Sequence, residues 1–164
     1  MKRPEISIDD TGLTINGVPV SLEAKAADVE AALGEHGTRR RFGPAHLSKP
    51  TDNQAVVFED AGVVLLERIG SGDLSQLDCI FEPSSSPVSG VVPFEGNLDL
   101  LGVQIEAVMQ KSELRALSAK AQRRFLKSFV FETAGLIAYL LLGKPVRGQG
   151  VSILHVSVGP KALA

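Results

Sequence analysis

The sequence predicts an α+β fold of two tandem β-β-α-β-β-β modules, mainly antiparallel sheet with one helix per module. Three observations predict it: an internal sequence similarity, turn signals typical of hairpins, and a short amphipathic stretch after the first hairpin of each half. Of the 164 residues, 44% are apolar and 22% are charged, as in an ordinary globular chain. We expect one compact unit with a first module at residues 1–83, a Pro/Ser-rich join at residues 84–92 and a second module at residues 93–164.

Two blocks of sequence recur in the same order. Residues 13–20 align with residues 98–105 at an offset of 85. Residues 57–64 align with residues 130–137 at an offset of 73, with five of the eight positions identical. The shorter offset places about twelve extra residues in a polar, Gly- and Pro-containing stretch of the first half, where an insertion costs little. Duplication explains this better than chance similarity between short strands.

The first module begins with a hairpin. Asn16-Gly17 between alternating apolar residues favours a type I′ turn, because both central residues of that turn need a positive φ. A short helix follows, with Ala26 and Val29 on its inner face and Gly34 as its C-terminal stop. A tight turn at Gly62 then separates two strands, and a further strand follows at residues 77–81.

The second module repeats this order with weaker signals. Its first turn keeps Gly102 but has leucine in place of the asparagine. Ser112 is the predicted N-cap of its helix, and Leu114, Leu117 and Ala121 are predicted to face the core. Gly135 lies in the next turn, and the last strand is predicted at residues 151–158.

The residues that could carry chemistry do not form a catalytic or metal-binding pattern. His36, His46 and His155 have no carboxylate or cysteine at ligand-like spacing, and the single cysteine, Cys79, lies in an apolar strand and is predicted to be a structural thiol. Glu59 and Glu132 occupy equivalent positions and raise the possibility of a paired-carboxylate site, although acids at strand ends explain them better. The sequence predicts no enzyme activity, no cofactor and no metal.

The charge is uneven along the chain. Residues 1–90 have 14 acidic and 8 basic residues, and residues 91–164 have 5 acidic and 9 basic residues, for a net charge of −2 overall. This distribution disfavours a nucleic-acid partner and favours a charged face directed at a protein. The residues predicted to bind that partner are Glu67, Asp73, Asp78 and Glu82 in an acidic group, and Arg39, Arg40 and Arg41 in a basic group.

Membrane association is not expected from the sequence. The longest apolar stretch, residues 135–143, has about half of the roughly 20 residues that a spanning helix needs. The basic residues that follow Met1 precede an alternating acidic segment, which is unlike the apolar region of a signal peptide. We expect a cytoplasmic protein.

The turn and core motifs resemble a group of uncharacterised bacterial tandem-repeat domains found at polymorphic-toxin and type VI secretion loci, some of which are regarded as immunity proteins. The motifs concerned are residues 13–18, Leu33-Gly34, residues 58–63 and residues 94–98. The tandem layout is also similar to that of beta-lactamase-inhibitor protein, in which two helix-plus-sheet repeats present a concave sheet to an enzyme. These resemblances imply a fold and a mode of binding, and they imply no chemistry.

The leading hypothesis is a cytoplasmic immunity protein that binds a cognate bacterial toxin or effector by protein-protein contact and neutralises it. One alternative is an enzyme or small-ligand binder with a site between the modules, lined by Glu132, His155 and the Arg39 to Arg41 loop. Another alternative is a structural or adaptor subunit of a secretion system.

Overall fold

The computed structural model describes residues 3–41 and 52–161, which form a mixed α+β fold with mostly antiparallel sheets. In the first half, the elements are β1 (Glu5–Asp9), β2 (Gly12–Ile15), β3 (Val18–Val20), α1 (Ala26–Leu33), β4 (Thr38–Arg40), β5 (Asn53–Phe58), β6 (Val63–Arg68) and β7 (Leu74–Ile80). In the second half, they are β8 (Asn97–Leu100), β9 (Val103–Ile105), β10 (Val108–Met109), α2 (Lys111–Lys120), β11 (Arg123–Arg124), β12 (Ser128–Thr133), β13 (Leu136–Val146) and β14 (Gly150–Pro160). Short 3-10 turns lie at Glu59–Ala61 and Pro83–Ser85.

The strands form two sheets. The small sheet has the order β3-β2-β1-β8-β9, and β1 and β8 run parallel within it. The large sheet has the order β11-β12-β13-β14-β7-β6-β5-β4, and β10 pairs with β14. Strands β7 and β14 pair antiparallel near the centre of the large sheet, where Leu77 lies opposite Val158. The two halves of the chain therefore share both sheets.

One apolar core lies between the small sheet, the helices and one face of the large sheet. It includes Ile8 and Leu98 from the small sheet, Val29 from α1, and Leu65 and Phe131 from the large sheet, all at most 1% exposed. Alternation along each strand places every second side chain in this core. We call the core-facing side of the large sheet the inner face and the opposite side the outer face.

The two predicted hairpin turns are confirmed by their backbone angles. Asn16 and Gly17 have φ of 51° and 78°, and Leu101 and Gly102 have φ of 52° and 85°. Positive φ at both central positions is the type I′ arrangement that matches the twist of two paired strands. The second turn forms despite the leucine, so the strand pairing on either side of it compensates for an unfavourable residue.

The predicted end of α1 is confirmed, whereas the predicted start of α2 is wrong. Helix α1 ends at Gly34, which has a φ of 76° in the left-handed region and closes the helix as predicted. Helix α2 begins earlier than predicted, because its N-cap is Gln110 and not Ser112. The Glu113 carboxylate accepts a hydrogen bond from the Gln110 backbone nitrogen at 3.0 Å, which completes a capping box.

The predicted β-β-α-β-β-β order was incomplete, since the structure adds β1, β4, β10 and β11. Strands β4 and β11 are rich in arginine and only three and two residues long. Such segments have no apolar alternation, and they are strands because a neighbouring strand supplies their hydrogen bonds. Within residues 3–41 and 52–161, no helix has the length and apolar character that a membrane span requires.

The predicted join packs against the protein. Val91 is 4% exposed and belongs to a second apolar cluster on the outer face, with Ala55, Val57, Val64 and Ile80. The Val88 side chain packs against the same cluster. Residues 84–92 therefore cover the outer face of the first half of the large sheet.

Candidate protein-interaction surface

Arg39 on β4 lies between two buried carboxylates. Its Nη2 and Nη1 donate to Glu30 Oε1 and Oε2 at 2.5 and 3.0 Å, and its Nε donates to Glu67 Oε1 at 3.0 Å. The side chains of Glu30 and Glu67 are each 6% exposed, so the guanidinium supplies the positive charge that their burial requires. The hydrogen bonds from Arg39 hold the pKa of Glu30 below its usual range. This ionic triad of Glu30, Arg39 and Glu67 connects α1, β4 and β6.

The other two residues of the predicted basic group have different surroundings. Arg40 pairs with the Glu59 carboxylate and donates from Nη1 to the Ser89 carbonyl oxygen at 2.6 Å. It thus fastens the join to the large sheet. Arg41 is exposed at the end of the first described segment. The group therefore does not form one continuous basic surface.

The four acids predicted to bind a partner are also dispersed. Glu67 is on the inner face and Asp78 is on the outer face, at 5% and 3% exposed. Asp73 is exposed and lies 3.8 Å from the Lys25 ammonium group. Glu82 is exposed and accepts hydrogen bonds from the Ser84 backbone nitrogen and hydroxyl at 3.4 and 3.2 Å. Contact of these residues with a partner stays a prediction.

A polar cluster occupies the outer face where β7 meets β14. Asp78 lies opposite Ser157 and accepts a hydrogen bond from Gln76 Nε2 at 2.7 Å. Burial raises the pKa of Asp78, and hydrogen bonds from Ser157 and Gln76 oppose that rise. Burial lowers the pKa of His155, and the nearby Asp78 charge opposes that change. A Ser, a His and an Asp in one cluster require a test against the catalytic triad.

Ser85 lies next to His155 in this cluster, and its hydrogen bonds argue against a catalytic triad. His155 Nδ1 lies 3.1 Å from Ser85 Oγ, and Ser85 Oγ donates to the Glu82 carbonyl oxygen at 2.7 Å. Ser85 Oγ also lies 3.1 Å from the Leu154 carbonyl oxygen, and carbonyl oxygens only accept, so the backbone offers two acceptors for its one proton. A nucleophilic serine would instead donate to the histidine. The cluster therefore fastens the Pro83–Ser85 turn to β14.

Glu59 and Glu132 do not form a paired-carboxylate site. Glu132 accepts a hydrogen bond from the Lys161 ammonium group at 2.9 Å, which lowers the pKa of Glu132, and Glu59 pairs with Arg40. Strands β5 and β12 are five strand spacings apart, about 24 Å at the usual spacing between neighbouring strands. Two carboxyl groups that act on one bond lie within about 10 Å of each other.

The other candidate residues that the structure describes do not come together either. Within the described part of the chain, no group of three or more His, Cys, Asp or Glu residues could hold a metal ion. Cys79 is buried, and burial raises the pKa of its thiol. His36 is exposed, with Nδ1 3.3 Å from Glu30 Oε2, and His46 lies outside the described residues.

Shallow depressions lie elsewhere on the surface. One of about 470 Å³ lies between β3 and α1 and is lined by residues that include Val18, Ala31 and Ala32. Another of about 570 Å³ lies beside the β13–β14 turn and includes Lys111 and Arg147. Neither is lined by Glu132, His155 or the Arg39 to Arg41 loop, the residues on which the small-ligand alternative was based.

An exposed apolar surface lies on the outer face of the second half. Phe125 is 56% exposed, Leu126 is 93% exposed and Tyr139 is 42% exposed. The Phe125 backbone nitrogen donates to the Ser128 carbonyl oxygen at 2.8 Å, which closes a tight turn with Leu126 at its tip. Half-buried Ile137 and Leu141 alternate with Tyr139 along β13 and share its face. We call Phe125, Leu126, Ile137, Tyr139 and Leu141 the apolar patch.

The apolar patch has a basic border. Arg123 pairs across the sheet with Val130, which in turn lies opposite Tyr139. Lys127 is exposed in the same tight turn, and Lys161 follows β14. Arg123 and Lys161 lie 3.8 and 2.9 Å from the Glu132 carboxylate, so these three basic groups and one acid give the border a net charge of +2. An acidic surface would complement this border.

Sequence reasoning overlooked the apolar patch. Basic residues at positions 120, 123, 124 and 127 form a cluster in the sequence, and the solvated face usual for such a cluster gives no reason to expect an apolar surface at Phe125 and Leu126. The available signal was an aromatic residue and a leucine inside a basic turn, where polar residues are usual.

Known proteins offer no guide to this surface. Protein-family models, curated proteins and solved structures gave no match to the chain.

Proposed function

We propose that this chain is a protein-binding domain whose contact surface is the basic-bordered apolar patch. The exposure of Tyr139 on the outer face of the sheet, and of Phe125 and Leu126 in the adjoining turn, carries this proposal. Aromatic residues contribute strongly to binding when a partner removes them from water. The ionisable clusters at Glu30 and Asp78 have internal hydrogen-bond partners, which favours structural roles for them.

The finer proposal is an immunity protein that binds a cognate bacterial toxin in the cytoplasm and blocks it by contact. It rests on the resemblance of the turn motifs to domains of polymorphic-toxin and type VI secretion loci. A preformed face fits this role, because a rigid surface loses little conformational entropy on binding.

We also propose that the chain consists of two tandem modules. The outer face of the second half would then correspond to the outer face of the first half. Support comes from the strand orders, which read symmetrically about β1 in the small sheet and about the β7–β14 pair in the large sheet. Turns with two positive φ values at Asn16-Gly17 and Leu101-Gly102 occupy matching places. An experimental structure whose halves superpose after a rotation near 180° would support duplication, and unlike strand paths would contradict it.

The test is co-expression of the chain with the product of the adjacent gene. Growth rescue together with a stable complex in size-exclusion chromatography with light scattering is expected if that product is the cognate toxin. A toxic neighbour that is neither rescued nor bound would contradict the immunity role. Val18→Ser is a suitable control variant, because Val18 is 49% exposed and lies on the small sheet, away from the apolar patch.

A further inference from the structure

The chain contains its own example of how the outer face is covered. In the first half, Val88 and Val91 from the join pack over Ala55, Val57 and Val64. These three sheet residues are at most 1% exposed as a result. A bent segment that places two valines on the sheet therefore helps to cover this kind of face.

The second half presents a similar face, on which Val130 is buried at 1% exposed but Tyr139 is not covered. Alternation places Val130 on the outer face of β12 and Ile137, Tyr139 and Leu141 on that of β13. Among residues 3–41 and 52–161, the outer-face apolar cluster includes only residues of the first half and the join. Tyr139 is 42% exposed, whereas Val57 and Val64 are buried.

The edge of the sheet beside this face is already occupied. The Gln122 backbone nitrogen donates to the Val130 carbonyl oxygen at 2.9 Å. The Glu132 backbone nitrogen donates to Gln122 Oε1 at 2.7 Å, and Gln122 Nε2 donates to the Glu132 carbonyl oxygen at 3.3 Å. Gln122 thus takes the place of an added strand, so a partner meets the face and not the edge of β12.

We propose that the apolar patch binds an apolar segment of a partner protein, flanked by acidic residues, much as the join covers the first half. The apolar residues of the segment would cover Tyr139 and Phe125. Its carboxylates would face Lys127 and the Arg123 and Lys161 side chains that share Glu132, in keeping with the net charge of +2 at this border. This inference rests on the proposed protein-binding function and names the chemistry of the partner.

The test is an NMR titration of the full ¹⁵N-labelled chain with two synthetic peptides. Both contain residues 86–92 of this chain, with glutamates added at both ends in one peptide and lysines in the other. The glutamate-flanked peptide is expected to shift amide signals of β12, β13 and β14. Higher salt should weaken the binding of this peptide. The lysine-flanked peptide is expected to bind at least about tenfold more weakly, since its charges oppose the basic border.

Two matched variants locate the contact. Tyr139→Ser is expected to lower the affinity for the glutamate-flanked peptide at least about tenfold, because it removes a central aromatic contact. Val18→Ser removes a similarly exposed apolar side chain from the small sheet, and it is expected to change the affinity less than about twofold. Dispersed amide spectra of both variants show that each one is folded.

Several results would overturn the inference. They are equal binding of the two peptides, shifts centred away from β12 to β14, or no saturation at about 1 mM peptide. Light scattering that shows a dimer abolished by Tyr139→Ser would assign the patch to a second copy of the chain. Binding to vesicles of phosphatidylserine and phosphatidylcholine, with no peptide binding, would assign it to a membrane surface.

The inference and the proposed function can fail separately. Peptide binding at the patch without rescue of a toxic neighbour removes the immunity role and leaves the surface assignment intact. Rescue and complex formation that survive Tyr139→Ser remove the surface assignment and leave the immunity role intact.

Discussion

Removal of the Arg39 guanidinium should destabilise the protein more than removal of its neighbour Arg40. Arg39→Gln leaves Glu30 and Glu67 buried, each side chain 6% exposed, without their shared cation. Breaking a buried ion pair usually costs about 3–5 kcal/mol. Because the Arg39 side chain is itself 39% exposed, solvent screens part of its interaction, and we expect a loss of about 2–3 kcal/mol in the free energy of unfolding.

The matched control is Arg40→Gln. Arg40 pairs with Glu59, whose side chain is 46% exposed, and an exposed pair contributes at most about 1 kcal/mol. Urea unfolding followed by circular dichroism at pH 7 measures both variants. For a chain of this size, the Arg39→Gln loss corresponds to a decrease of roughly 4–12 °C in Tm.

The pH dependence gives a second check on the Arg39 interaction. Since Arg39 lowers the pKa of Glu30, its stabilisation is present above the unfolded pKa of a glutamate, about 4.3, and is lost as pH falls through the lower folded value. The difference between the native chain and Arg39→Gln should therefore shrink as the pH falls below about 4. A loss equal to that of Arg40→Gln at pH 7, or a difference independent of pH, would refute the reasoning.

Three further outcomes are expected. Gly62→Ala should cost at least about 1–2 kcal/mol more than Gly135→Ala in urea unfolding, because both glycines have positive φ but only a Cβ at Gly62 would overlap the Phe94 backbone; equal losses would contradict the packing of the segment after the join. Cys79 should react with a thiol reagent at least about 100-fold more slowly in the native chain than in urea, since burial raises the pKa of its thiol; fast native labelling would count against its position. Asp78→Asn should raise the free energy of unfolding by about 1 kcal/mol at pH 7 and lose this gain at low pH. The reason is that the native carboxyl has a raised pKa, so its ionisation destabilises the folded state as the pH rises through that pKa. A variant that is less stable than the native chain in urea at pH 7 would contradict this prediction.

Local chemistry in the sequence predicted the hairpin turns and the end of α1 well. Asn16-Gly17 and Gly34 favour backbone angles that few other residues adopt easily, so their neighbours in the chain were enough to place them. The apolar positions of α2 were also predictable, because Leu114 and Leu117 recur at helical spacing. These features depend on interactions between residues a few positions apart.

The candidate surface was less accessible to such reasoning. Glu67 and Asp78 looked like exposed acids of one group, but the pairing of β5, β6, β7 and β14 buries them on opposite faces. Likewise, the neighbours Arg39 and Arg40 point to opposite sides of β4, one toward the ionic triad and the other toward the join. Alternation along a strand is predictable, but which side becomes core depends on what packs there.

Residue preferences within short segments were enough to predict the α+β class, the hairpin turns and the C-terminal end of α1, because these follow from φ angles and apolar spacing. The cover of the join over one half of the outer face, and the exposure of Phe125 and Tyr139 in the other half, followed only from the three-dimensional packing. Burial depends on contacts between residues distant in the chain. A phenylalanine or valine has the same local preferences whether a distant segment covers it or not.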